Sequence, residues 1–216
     1  MTNIVSTDPS NEDSLVGVFN TVLDKFKQSM QTRLPCVVTA VNKAKNSVSV
    51  IPLINMVLAD GSSLRRAIIV GVPIQHLSAG GFIIHLPIKV GDYGYIRSCD
   101  RDISLFKQSF KESTPNTKRK ITFEDSIFIP DTINYNNYTI DNEDDNNLVI
   151  QSFDNSVKIS LGINNLKIKA PTINIEGNVN IAGNVSTTGT MLNNGVNVGS
   201  THVHIETNNK PTSVPQ

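Results

Sequence analysis

The 216-residue chain contains no tryptophan, and aromatic residues make up only 6% of it. Few aromatics leave little surface for bases to stack on, so a single-strand nucleic-acid platform is not expected. Charge of one sign is also lacking, with 19 basic and 19 acidic side chains balancing to zero. No basic surplus is available to displace counterions from a nucleic acid, and no run of like charge is long enough to act as a tail. Cysteine is scarce. Cys36 and Cys99 cannot build a disulfide framework and are expected to be small buried thiols. The apolar run 67–74 is far shorter than a membrane span requires. The opening MTNIVSTDPSNED has no basic segment followed by an apolar core, so no signal peptide is read and synthesis in a cytoplasm is expected. Isoleucine, valine, threonine and asparagine are prominent instead. They predict a mainly β chain with many turns.

Residues 1–32 carry one helical pattern. Leu15, Val18, Phe19, Val22, Leu23, Phe26 and Met30 fall on one stripe, with Ser10 or Asp13 as the expected N-cap. The stripe predicts a short N-terminal α-helix packed on its own domain. A docking arm for a neighbouring subunit is the alternative.

Residues 33–112 read as about five strands with tight turns. A strand from Arg33 turns at 42–46 and returns from Ser47. Asp60-Gly61, Gly80-Gly81 and Gly91-Asp92 supply further turns. So many short strands in so few residues predict a small closed barrel, most plausibly an OB-fold. His76 and His85 have no acidic or thiol partner in sequence and read as ordinary barrel residues. Residues 113–147 read as a connector. Its acids Asp141, Glu143, Asp144 and Asp145 lack the glycine and closing glutamate of an EF-hand and predict a solvated loop.

Regular β-patterning resumes at Leu148. Val157, Ile159, Leu161 and Ile163 alternate with polar residues, Asn164-Asn165 turns the chain, and Leu166 and Ile168 continue one position out of phase. A six-residue repeat comes next, with glycine at 177, 183, 189 and 195 and with Ile173, Val179, Val185 and Met191 in the second slot. A one-chain left-handed β-helix would complete fewer than two coils here, too few to bury a continuous core. The pattern therefore predicts an intertwined trimeric β-helix over residues 148–205, in which three chains share one axis. Near its end, His202 and His204 lie two apart, so in a strand they face one side. On a threefold axis they gather six imidazoles, an octahedral set; imidazole suits iron, nickel, copper or zinc, and a full octahedron disfavours zinc's usual four-coordination.

In order, Val72-Pro73-Ile74, Gly80-Gly81-Phe82, Leu86-Pro87, Gly91-Asp92 and Arg101-Asp102-Ile103 resemble the N-terminal barrel of the central spike proteins of contractile-tailed phages, the baseplate assembly protein V type and related membrane-piercing spikes. The segment from Phe123 to Pro130 resembles the stretch just after that barrel, His202-Val203-His204 resembles the pair that binds iron at the spike apex, and residues 206–216 resemble the tip fold-back that follows those ligands. The resemblance implies a homotrimer and one iron ion per trimer, held by His202 and His204 of each chain and closed to substrate. It also implies a baseplate hub protein as partner, the host outer membrane as target, and a place in the virion tail baseplate. The expected action is mechanical piercing during tail contraction, with no enzyme activity and no nucleic-acid partner. The alternatives are a hexapeptide-repeat acyltransferase, which needs more coils and a histidine within them, and a trimeric tail-fibre or adhesin that binds a surface glycan, which needs a larger distal domain.

Overall fold

A computed structural model describes residues 14–58, 61–131, 138–199 and 202–203. The chain divides into two compact units, residues 1–169 and residues 170–216. It is mainly β, with a nearly closed barrel-like sheet and few helices.

The first unit opens with α1, Leu15–Ser29. Its N-cap is Ser14, whose hydroxyl accepts from the Gly17 amide at 3.0 Å and satisfies a donor that the first turn leaves unpaired. The expected cap residues Ser10 and Asp13 lie outside the described residues. The apolar stripe is not packed on its own domain. Leu15, Val18, Phe19, Val22, Leu23 and Phe26 remain 51–74% exposed.

The barrel strands are β1 (Arg33–Asn42), β2 (Ser47–Pro52), β5 (Ile69–Pro73), β8 (Tyr93–Cys99) and β9 (Thr122–Pro130). All four hydrogen-bonded neighbours are antiparallel, in the order β5-β2-β1-β8-β9. A parallel bridge between Ile74 and Phe128 and a 2.8 Å bond from the Gln75 amide to the Phe128 carbonyl bring the two edges together. Irregular register within β1/β2, β2/β5 and β8/β9 gives the sheet the local bending that closure needs. Two short hairpins, β3–β4 (Met56–Val57 and Ser63–Leu64) and β6–β7 (Leu77–Ala79 and Phe82–Ile84), stand outside the main sheet. Gly80 and Gly81 turn the second with φ of +59° and +85°, a conformation that L side chains resist.

Strand β9 falls in the stretch that residue patterning assigns to the connector. It is the fifth barrel strand, reached through the short helix α2 (Ser104–Ser109). The core consists of Cys36, Val38, Val48, Val50, Val72, Ile96, Phe123 and Phe128, so β9 contributes its two largest members. Burial pushes the Cys36 thiol up to about 12 and also raises that of Cys99, which is only partly covered.

Further along the first unit, β10 (Leu148–Gln151), β11 (Lys158–Leu161) and β12 (Leu166–Lys169) form a separate antiparallel sheet. In the second unit, residues 170–190 form no helix or strand within the chain. A two-residue-strand hairpin, β13 (Leu192–Asn193) and β14 (Val196–Asn197), then turns at Asn194-Gly195.

Gly94 of β8 is closely approached by β9. A Cβ there would lie 2.5 Å from the Ile129 carbonyl oxygen and 2.5 Å from the Phe128 ring. Both obstacles belong to the adjoining strand and neither can swing aside. Gly94→Ala is expected to destabilise the barrel by about 1–3 kcal/mol in equilibrium unfolding, the usual range for overpacking.

Candidate functional site

The sheet β10–β12 has its faces reversed relative to an ordinary one-sided sheet. Leu148, Leu161 and Leu166 are register partners in one cross-strand row, and Ile150, Ile159 and Ile168 in another. Partners in register share a face. These six side chains therefore form one apolar patch, and each is 39–66% exposed. The opposite face carries Ser160 and Lys158, with 1% and 0% exposure.

That polar face is covered by the segment around the 3-10 turn Asn142–Asp144. The Lys158 ammonium donates to Asp141 at 2.7 Å and to Asp144. Asp144 also accepts from the Ser160 hydroxyl at 2.5 Å and from the Asn147 amide at 3.1 Å. Asn155 donates to Asp141 at 2.7 Å, and Lys167 pairs with Glu143. The acidic stretch is thus not a solvated loop, because Asp144 is 2% exposed and paired. Asp141, Glu143 and Asp144 are close enough together to suggest a cation site, but Lys158 already supplies the positive charge to two of them.

Their titration is set by these contacts. The Lys158 hydrogen bond, then that from Ser160, holds Asp144 well below the usual 3.8. Asp141 is lowered by Lys158 and then by Asn155. Hydrogen bonds to Asp141 and then Asp144 hold Lys158 above its usual 10.5.

A second network ties the loop after β8 to β9. Arg119 reaches Asp125 with Nε at 3.0 Å and Asp102 with Nη2 at 3.3 Å. Asp102 accepts from the Thr117 hydroxyl at 2.7 Å and the Ser104 amide at 2.8 Å, and Asp125 accepts from the Ile103 amide at 3.2 Å. Hydrogen bonds from Ser104 and Thr117 hold Asp102 well below the carboxylate range. Asp102 and Asp125 belong to two of the motifs singled out in the sequence. Arg119, which joins them, sits in a polar stretch that gives no signal.

Of the predicted metal-binding pair, His202 is described and His204 lies outside the described residues. His202 is half-buried, with Nδ1 2.5 Å from the Gly199 carbonyl oxygen and its amide donating to the same oxygen at 3.1 Å. A ring nitrogen engaged with a backbone carbonyl is the usual outer partner of a metal-binding imidazole, because it fixes the ring and its tautomer. The Gly199 contact is of the kind such an imidazole makes. His76 and His85 lie with ring centroids 5.6 Å apart, and His76 bonds to Asn46 at 2.9 Å.

The six-residue repeat presents its apolar residues outward as well. Ile173, Ile175, Val179, Ile181 and Val185 are 53–70% exposed.

Residues 34–131 are similar to the family described as the phage protein Gp138 N-terminal domain. The matched span runs from β1 to the end of β9 and so takes in the whole barrel. No curated protein matches the chain. The match supports a phage structural protein and suggests a virion component.

The Lys158 network sets a pH window. The carboxylates, with lowered values, contribute fully above about 4 and lose their contribution as pH falls through the folded values. Lys158, with its raised value, contributes fully below about 10.5 and loses its contribution as pH rises through the folded value. Thermal unfolding is expected to give a plateau between these limits and a falling midpoint outside them. At neutral pH, Lys158→Met leaves Asp144 buried without its cation. It should lower the midpoint by at least about 5 °C, and adding Asp144→Asn should recover part of that loss.

Proposed function

We propose that this chain is the central spike of a contractile phage tail and works as a homotrimer. The observation that carries the reading is the reversed polarity of the distal chain. In the β10–β12 sheet the leucine and isoleucine rows point away from the chain's own interior while Lys158 and Asp144 are paired on the opposite face, and the apolar residues of the six-residue repeat are exposed as well. Three sheets meeting by their Leu148/Leu161/Leu166 and Ile150/Ile159/Ile168 rows would enclose a triangular apolar axis. Each side chain fully buried there adds about 1.5–3 kcal/mol. Residues 170–190, without internal pairing, would exchange backbone hydrogen bonds with two siblings, which removes the exposed edges.

The barrel's strand order, with its parallel closing bridge, supports an OB-fold. In this reading the barrel mounts on a baseplate hub protein beneath the tail tube, and the shaft carries force to the tip. His202 and His204 of three chains hold one iron ion, giving it six imidazole ligands and no open position. The ion then ties three chain ends together without reacting. Contraction drives the tip through the host outer membrane mechanically, and the chain performs no catalysis. Assembly takes place in the host cytoplasm, before the spike joins the baseplate.

Native mass measurement of the full chain should give a trimer. A monomer whose distal sheet still unfolds cooperatively would sink the reading. Elemental analysis should find one iron per three chains. His202→Ala with His204→Ala should abolish iron while leaving the trimer mass unchanged, and a metal-free unaltered trimer would count against the tip.

A further inference from the structure

The exposed stripe of α1 has the spacing of a coiled-coil seam. Leu15, Phe19, Val22 and Phe26 recur at intervals of four, three and four, which places them at d, a, d and a of two heptads. Val16, Val18 and Leu23 flank the seam at e and g. The b, c and f positions Gly17, Asn20, Thr21, Asp24 and Lys27 carry no large apolar side chain. A seam widened by apolar e and g residues exceeds the strict a/d stripe of a narrow two-helix contact.

We propose that α1 packs against α1 of two further copies of this chain, as a parallel three-helix coiled coil at the barrel end. The inference rests on the trimeric reading above. Three observations select other copies as the occupant. The stripe is self-complementary in its heptad order, and its own domain leaves it open. The exit of the helix is also fixed to the barrel: the Gln31 amide donates to the Ile121 carbonyl at 3.1 Å, and the Phe123 amide donates to the Gln31 side chain at 3.0 Å. Each barrel therefore delivers its helix from one anchored point.

The helices alone are too short to associate strongly. The stripe offers on the order of several hundred Å² per copy, against roughly 800 Å² per partner in a standard interface. Fifteen residues are marginal for an isolated helix. Held on a trimeric body, the three segments meet at high effective concentration, and a weak contact becomes sufficient.

Cysteine cross-linking of the full chain tests this. Leu15→Cys and Phe26→Cys sit at opposite ends of the seam, so both form inter-chain disulfides only in a parallel bundle. Lys27→Cys sits on the outer face. Under a mild oxidant the two seam variants should give at least tenfold more covalent dimer than Lys27→Cys or the unaltered chain. Phe19→Asp added to Leu15→Cys should remove that dimer while native mass stays trimeric. A trimer in which the seam variants cross-link no better than Lys27→Cys would overturn the coiled coil and leave the trimeric spike standing. A monomeric mass would remove both.

Discussion

The ammonium of Lys158 decides which way the distal sheet faces. It is wholly enclosed, with Asp141 and Asp144 as its counter-charges. A buried charge without partners is costly, so the segment carrying the two acids must lie over that side of the sheet. Once it does, the leucine and isoleucine rows have no inward side left. The exposed apolar patch results from a charge pair on the other face and is not a failure of packing.

The barrel solves a different problem. Its eight-residue core is small, and its closure depends on β9, which arrives after a helix and a polar loop. Arg119 holds that detour in place by gripping Asp102 before α2 and Asp125 within β9. The guanidinium can serve two carboxylates at once because its donors are fixed in a fork. Phe128 can then sit at the barrel centre against Gly94, where no side chain competes for the space.

Much of this is legible in residue order. Alternation locates β11 and β12, and the paired glycines locate the β6–β7 turn, because period and turn chemistry are local properties. Alternation shows that two faces differ, but not which one is covered. That depends on Asp144 meeting Lys158 across fourteen positions, and the acids by themselves read as a loop. Strand β9 escapes detection for a similar reason, since its partner β8 is separated from it by segments with no strand character. The apolar stripe of α1 is plain in the sequence, but its exposure is not. At the distal end, His202 is found with its ring nitrogen on the Gly199 carbonyl, a contact that spacing alone does not reveal.

The position of the barrel's last strand has a consequence for biosynthesis. Every core residue of the barrel lies at or before Phe128, while the outward-facing rows begin at Leu148. A ribosome therefore releases a barrel that can complete its own interior before it releases the distal rows. Folding of the first segment needs no encounter between chains. The distal rows emerge already attached to a finished barrel, which shortens the time that they spend bare on a nascent polypeptide.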